Sequence, residues 1–197
     1  MRGTHFGLPQ VMPQRVTGFQ NQEGVTVPSN IEIKARVGDL RTIRALVEPL
    51  ADHSVEVLDQ EDTFFAAQSG RLKLRILGEQ RAELIYYQRD DAPGPKPSHY
   101  LIAPTTNPEA LRAILTSVLQ VVGVVRKRRW LYLVGQTRVH LDDVEGLGAF
   151  VELEVVLRPD QPEANGVVIA KDLMAKLGIA GEHLVEAAYI DLAKKVP

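Results

Sequence analysis

Short segments of alternating polar and apolar residues recur along this chain. In residues 30–37, polar or charged side chains at 30, 32, 34 and 36 alternate with apolar or small ones. A period of two places all of these polar side chains on one face of a β-strand. Residues 70–76 alternate as cleanly, and alternation or strand propensity predicts further strands at 54–65, 82–89, 98–103, 124–133, 136–142 and 150–157. The pattern therefore predicts about eight strands.

Helices are predicted in three places, from a longer apolar period and from capping residues. Asp39 is the expected N-cap of the first helix, whose apolar face is formed by Leu40, Ile43, Val47 and Leu50. Asn107 and Pro108 begin the second, and its predicted buried face consists of Leu111, Ile114, Leu115, Val118 and Leu119. Gly123 is predicted to end that helix. From about Gly166 the tail predicts two short helices, separated by Gly178 to Gly181.

Long runs of consecutive strands with few helices indicate an α+β protein built on a large antiparallel sheet or barrel. The 197 residues suffice for one domain, or for one domain plus a tail. Residues 1–28 carry Arg2, His5 and Arg15 without an acid before Glu23, a faint similarity to an organelle transit peptide. We interpret them instead as a disordered leader or an over-long start, and residues 29–197 as the folded domain.

Composition excludes several classes of function. The net charge is -2, so no global field favours nucleic acid or an anionic membrane as a partner. Cysteine is absent, which excludes disulfides, thiolate catalysis and cysteine-ligated metals and fits a cytoplasmic protein. The sequence leaves open whether the chain forms a homodimer.

The charges on the predicted strand faces segregate locally. The basic members of this set are Lys34, Arg36, Lys73, Arg75, Arg89, Lys127, Arg129 and Arg138, and the acidic members are Glu32, Asp142, Glu152 and Glu154. For each strand alone, a solvated face is the ordinary interpretation. If the faces instead closed into a barrel lumen, the excess of basic groups would require water and a polyanionic ligand, because an unpaired buried charge costs several kcal/mol.

The acidic members suggest a metal site. Carboxylates two residues apart on one strand, such as Glu152 and Glu154, lie about 7 Å apart at Cα and can lean toward one divalent cation. Glu32 and Asp142 could add oxygen ligands from other strands, and Mg²⁺ commonly completes its shell with water and substrate phosphate. Basic groups beside such an ion suit phosphoryl chemistry, in which positioning and charge stabilisation supply most of the catalysis.

Several ordered motifs resemble the CYTH superfamily, the triphosphate tunnel metalloenzymes, over about residues 29–192. The family begins with a strand of the form E-x-E-x-K, which stands here as Asn30-Ile31-Glu32-Ile33-Lys34. Later matches are Asp62-Thr63-Phe64-Phe65, Gly70-Arg71-Leu72-Lys73-Leu74-Arg75, Tyr87-x-Arg89, Lys127-x-Arg129, His140-Leu141-Asp142 and Leu147-Gly148-x-Phe150-Val151-Glu152-Leu153-Glu154. Residues 184–192 look like the family's C-terminal helix.

The resemblance implies an eight-stranded, closed antiparallel barrel with peripheral helices. In such a tunnel the basic set would bind a triphosphate, the acidic set would hold Mg²⁺ or Mn²⁺, and Glu32 and Lys34 would act in catalysis. Asn30 replaces the first glutamate of the motif; it either opens the strand or offers a carbonyl oxygen to a metal, but it cannot act as a base. His140 is interpreted as a hydrogen-bonded lumen residue in preference to a catalytic acid, and Tyr189 as part of the helix packing in preference to a chemical role.

Three functions remain open at this point. The first is metal-dependent hydrolysis of a small triphosphate such as tripolyphosphate, thiamine triphosphate or ATP. The second is an adenylyl cyclase reaction, in which the ribose 3′-hydroxyl attacks the α-phosphate of ATP and pyrophosphate leaves. The third is a module that binds polyphosphate or nucleotide without turnover, which Asn30 keeps in consideration.

Overall fold

The computed structural model describes residues 27–78 and 81–195. These residues form eight strands and four α-helices. The strands are β1 (Ser29–Arg36), β2 (Glu56–Phe65), β3 (Arg71–Leu77), β4 (Arg81–Arg89), β5 (Lys96–Thr105), β6 (Val121–Val134), β7 (Thr137–Val144) and β8 (Gly148–Val156). The helices are α1 (Leu40–Val47), α2 (Pro108–Val118), α3 (Glu163–Lys176) and α4 (Tyr189–Ala193). The leader predicted at residues 1–28 lies outside the described residues except for its last two.

The eight strands close into an antiparallel barrel. Their order around the ring is β1-β5-β4-β3-β2-β6-β7-β8. Strand β1 closes the ring, because it pairs with β8 from Asn30 to Arg36 and with β5 from Ser29 to Glu32. The predicted α+β class with a closed eight-stranded barrel is therefore confirmed, and closure removes the free sheet edges.

The main core lies outside the barrel wall, between the strands and two helices. Ile33, Val139 and Leu153 point outward from the wall and pack against Val47 of α1 and Leu173 of α3. The alternating strands thus turn their apolar face toward the helices and their charged face inward. Across residues 27–78 and 81–195, no helix is long and apolar enough to cross a membrane.

The two predicted helix caps are confirmed. The Asp39 carboxylate accepts a hydrogen bond from the Arg41 amide at 2.9 Å and begins α1. The Asn107 side chain accepts one from the Ala110 amide at 3.2 Å, with Pro108 as the first residue of α2.

Part of the predicted buried face of α2 is wrong. Leu111, Leu115 and Leu119 pack on the barrel wall as predicted, whereas Ile114 is 59% exposed and Val118 is 69% exposed. Only a narrow stripe of the helix meets the wall, so the neighbouring apolar positions remain in solvent.

Four boundaries also differ from the predictions. Gly123 does not end α2 but lies in β6, where an added Cβ would be 2.7 Å from Ile190 Cδ1 of α4. Strand β5 extends from Lys96 to Thr105, beyond the predicted 98–103. Helix α3 begins before Gly166, at Glu163, and of the predicted C-terminal helix only Tyr189–Ala193 is α-helical.

Candidate active site

The inward faces of the strands surround one cavity that gathers most of the predicted site residues. Among the described residues, its lining contains seven basic and four acidic side chains, a formal excess of three positive charges. Ten predicted residues line it: Glu32, Lys34, Lys73, Arg75, Arg89, Lys127, Arg129, Arg138, Glu152 and Glu154. The fourth acid is Asp62, to which the sequence analysis assigned no role.

The structure places the other two predicted residues elsewhere. Arg36 is exposed at one rim of the barrel, where its guanidinium donates to the Leu147 carbonyl at 2.6 Å. Asp142 faces inward but is fully buried beneath Tyr189, whose hydroxyl donates to Asp142 Oδ2 at 3.0 Å.

Asp142 forms the centre of a buried ion-pair network. Arg129 donates to both of its carboxylate oxygens at 2.6 Å, and Lys127 Nζ lies 3.3 Å from Oδ2. Arg129 also reaches Glu152 at 2.6 Å, and Lys34 pairs with Glu152 at 3.0 Å. Burial alone would raise the pKa of Asp142, but the adjacent Arg129 and Lys127 hold it far below its usual range. Asp142 does not line the cavity, and its role as a metal ligand stays a prediction.

A second network surrounds Asp62 on β2. Arg75 donates to Asp62 Oδ1 at 2.8 Å and to Oδ2 at 2.9 Å, and Lys73 donates to Oδ2 at 2.8 Å. These cations outweigh burial and hold the pKa of Asp62 well below its usual range. For Lys73 the balance is reversed, because burial and the neighbouring Arg75 exceed the attraction of Asp62 and lower its pKa to about 7.

Glu32 and Arg89 form a third pair, which leaves donors unsatisfied. One Arg89 nitrogen, Nη1, binds Glu32 Oε1. Within the part of the chain that the structure describes, Arg89 Nε and Nη2 are buried without a hydrogen-bond partner, as is Asn30 Oδ1 on the same inner face. Burial raises the pKa of Glu32, and Arg89 only partly offsets this. A buried unsatisfied donor costs about 1–3 kcal/mol, so these atoms are suited to meet a polar ligand.

One group of side chains fits a divalent cation. His140 and Glu152 are direct neighbours across β7 and β8, and Glu154 lies two residues along β8 on the same face. One ligand atom from each lies within 4.8 Å of the others, and all three residues are mostly or fully buried. Their carboxylate and imidazole donors suit Mg²⁺, Mn²⁺ or a related ion.

The family assignment agrees with this geometry. A family model of the CYTH domain matches residues 29–189. The chain belongs to the CYTH domain family.

Similar proteins cover nearly the whole of this CYTH domain. The PH1012 protein of Pyrococcus horikoshii gives a TM-score of 0.72 at 28% identity, covering 83% of this chain and 98% of that one. "Putative adenylate cyclase MJ0240" of Methanocaldococcus jannaschii is 23% identical over 174 residues, which is 82% of this chain and 97% of that protein. HpAC1 from Hippeastrum, described as a putative adenylyl cyclase with dominant triphosphatase activity, gives a TM-score of 0.58 at 17% identity, covering 84% of this chain and 95% of that one.

The short helix α4 fills one end of the CYTH barrel. Tyr189 and Ile190 pack with Phe64, Val125 and Phe150 inside the lumen. The Lys34 ammonium lies 4.1 Å from the centroid of the Tyr189 ring, and the Lys127 ammonium lies 4.9 Å from it. Tyr189 therefore lines the site as well as packing the helix, which the sequence analysis did not predict. The similarity of residues 184–192 to the family's C-terminal helix was the one sequence feature that could have drawn attention to Tyr189. The position of its ring depends on the tertiary structure.

The opposite side of the cavity has an apolar wall that sequence analysis also missed. On β4 and β5, Ile85 pairs with Ile102 and Tyr87 pairs with Tyr100, and all four side chains line the cavity. Ile102 is 43% exposed, so this wall continues toward solvent. Apart from Tyr87, which lies in the Tyr87-x-Arg89 motif, these residues carried no signal of a site, because inward-facing apolar residues look like ordinary core residues in a sequence.

Proposed function

We propose that this CYTH domain is a divalent-metal-dependent triphosphatase that binds its substrate inside the barrel. The observation that carries the proposal is the excess of basic side chains around the cavity inside the barrel, beside carboxylates that can hold a metal ion. An uncompensated excess of buried positive charge is costly, and a polyanion would offset that cost.

Phosphate binding is assigned to the seven basic residues that line the cavity. Arg89 has the clearest need for an anion, because its buried Nε and Nη2 lack hydrogen-bond partners within the described residues, and the only carboxylate near Nη2, that of Asp91, lies 3.9 Å away. Arginine presents paired donors that match phosphate oxygens, whereas Lys34, Lys73 and Lys127 contribute compact charges. All seven of these cations now pair with carboxylates, so the phosphates must displace some of those ion pairs.

The metal is assigned to the carboxylates of Glu152 and Glu154, with Glu32 opposite Glu154 across β1 and β8. A bound Mg²⁺ or Mn²⁺ would polarise a phosphoryl oxygen and lower the pKa of its bound water. Glu32 is the proposed proton acceptor for the attacking water, because burial raises its pKa toward neutrality. Lys34 would stabilise the charge that develops on the phosphoryl oxygens.

The test is orthophosphate release from tripolyphosphate, thiamine triphosphate and ATP, with Mg²⁺ and with Mn²⁺. Release from at least one of them is expected, and folded protein that releases none contradicts the proposal.

A matched pair of variants tests whether the reaction takes place in the cavity. Arg138→Gln, at the open side of the cavity, should raise KM about tenfold or more, the equivalent of one charge-assisted hydrogen bond. Arg128→Gln, on the outer face of β6, should leave KM unchanged.

Adenylyl cyclase activity is the second candidate. The apolar wall of Ile85, Tyr100 and Ile102 could receive the base of ATP, and the Methanocaldococcus relative is named a putative adenylate cyclase. In that reaction the ribose 3′-oxygen bonds to the α-phosphorus, pyrophosphate leaves, and the hydroxyl proton passes to a base. Formation of cyclic AMP and pyrophosphate from ATP, in place of orthophosphate, would decide for this candidate.

The third possibility is binding without turnover, with Asn30 in the position of a motif carboxylate. In that case the protein would bind tripolyphosphate tightly and release no product, and Asn30→Glu would restore turnover. The same product analysis therefore separates all three functions.

A further inference from the structure

We infer that His140 supplies a nitrogen ligand to the metal site and makes that site prefer Mn²⁺ over Mg²⁺. This inference rests on the proposed metal-dependent function and adds a ligand that the all-carboxylate set did not include. Two structural observations support it: the position of His140 beside two carboxylates, and the lack of a hydrogen-bond partner for its Nδ1 atom within the described residues.

The Nδ1 atom of His140 points toward two carboxylates without binding either. It lies 3.7 Å from Glu154 Oε1 and 3.9 Å from Glu152 Oε2, which is too far for a hydrogen bond. His140 is only 3% exposed, and within the described residues this nitrogen has no hydrogen-bond partner. A histidine that served only to pack the lumen would be expected to satisfy a buried nitrogen.

The distances from the imidazole nitrogen to the two carboxylates suit a shared ion. Ligand atoms bound to one octahedral ion at about 2.1 Å lie about 3 Å apart when adjacent and about 4.2 Å apart when opposite. The two distances from Nδ1 fall within this interval. The β7–β8 register fixes the arrangement, because His140 faces Glu152 directly and Glu154 is the next inward residue.

Among the described residues that line the cavity, no histidine offers a second imidazole ligand. Asp142 is completely buried and is bound by Arg129 and Tyr189. Glu152 pairs with Lys34 and Arg129, and Glu154 pairs with Arg138 at 3.4 Å, so the ion would replace some of these cations as the partner of the two carboxylates. The resulting donor set is one imidazole nitrogen with two carboxylates. Mg²⁺ strongly prefers oxygen ligands, whereas first-row transition ions accept imidazole readily. Because Mn²⁺ also takes carboxylates well, it is the ion we assign.

The experiment measures metal binding to the full-length protein in the absence of any triphosphate. Mn²⁺ is titrated and followed by electron paramagnetic resonance, and Mg²⁺ is then used as a competitor. We expect Mn²⁺ to bind at least about tenfold more tightly than Mg²⁺. Electron spin-echo envelope modulation of the bound Mn²⁺ should show coupling to a directly bound ¹⁴N nucleus.

Two variants identify the nitrogen. His140→Phe retains a ring of similar size without a donor, and it should remove the ¹⁴N coupling and weaken Mn²⁺ binding at least about tenfold. His53→Gln replaces an exposed histidine outside the barrel and should change neither quantity. If His140→Phe does not fold, the wild-type protein labelled with ¹⁵N-histidine should change its coupling from a ¹⁴N to a ¹⁵N pattern.

Any of four results would overturn the inference. The wild-type protein could fail to bind Mn²⁺, or bind it without nitrogen coupling. The coupling could persist in folded His140→Phe, or Mg²⁺ could bind as tightly as Mn²⁺. Failure of the proposed triphosphatase is distinguishable, because it would appear as metal binding with the expected coupling but without phosphate release. Conversely, phosphate release by a protein whose Mn²⁺ shows no nitrogen coupling would refute only the role of His140.

Discussion

Triphosphate binding beside Lys73 is expected to take up a proton from solution. Burial and Arg75 lower the pKa of Lys73 to about 7, even though Asp62 accepts its hydrogen bond at 2.8 Å. At pH 8, one unit above that pKa, about a tenth of the free protein carries a proton on Lys73. A nearby polyanion favours the charged amine and therefore raises its pKa.

The size of the effect follows from this shift. If the phosphates raise the pKa by about two units, which corresponds to about 2.7 kcal/mol of interaction, about nine tenths of the complex carries the proton at pH 8. Binding should therefore take up about 0.8 proton, the difference between those two fractions. The sign is fixed, because an anion can only favour the protonated form. Binding should accordingly tighten as the pH is lowered from 9 toward 7.

Isothermal titration calorimetry of ATP binding at pH 8, in two buffers of different ionisation enthalpy, measures this uptake. EDTA prevents metal-dependent turnover, and the terminal phosphate, with a second pKa of about 6, is already ionised. The control is Lys73→Arg, because a guanidinium stays charged both in the free protein and in the complex. Its proton uptake should be smaller than that of the wild type by about 0.8 proton. Equal uptake by both proteins, or no buffer dependence for the wild type, would refute the assignment to Lys73.

Three further predictions concern the stability of the fold. Gly166→Ala should lower the melting temperature, because the new Cβ would lie 2.6 Å from Ile31 Cγ1 of β1 and overpacking costs about 1–3 kcal/mol. The control is Gly181→Ala, whose Cβ would have no atom within 4 Å and which should leave the melting temperature unchanged. Tyr189→Phe removes a hydrogen bond to a buried carboxylate and should reduce the free energy of unfolding in urea by about 1.5–3 kcal/mol; an unchanged value would contradict the importance of that bond. Because the pKa of Asp142 is lowered in the folded protein, its stabilisation is present above about pH 4 and is lost as the pH falls below that. Arg129→Met should cost about 3–5 kcal/mol at pH 7 and should reduce this loss on acidification, which urea titrations at pH 7 and pH 3 would measure.

The charged faces of the strands were predictable because side-chain direction in a strand is a local property. Lys127 and Arg129 were placed on one face and Arg126 and Arg128 on the other, and the structure has the first pair lining the cavity and the second pair exposed. The strand pattern predicted a large antiparallel sheet or barrel, and only the family resemblance implied that it closes. Alternation alone fits an open, solvated sheet equally well. The sequence of a single strand does not show whether the first and last strands of the sheet pair with each other to close a barrel.

Individual roles within the cavity were less predictable. Asp142 follows the same alternation as Glu152, yet Arg129 binds both of its oxygens. Tyr189 lies outside every strand, so period and charge could not place its ring in the lumen. The helix face at Ile114 was mistaken because the width of a helix contact depends on the curvature of the surface beneath it.

The sequence by itself determined the number and position of the strands, the face on which each charge lies, and the family to which the motifs point. These follow from backbone geometry over a few residues. Only the tertiary structure decided which cation meets which carboxylate, which nitrogens are left without a partner, and which end of the barrel is filled. Those outcomes depend on strand register and ring closure, which bring residues more than a hundred positions apart within a few ångströms, as the contact of Lys34 with Glu152 does at 3.0 Å.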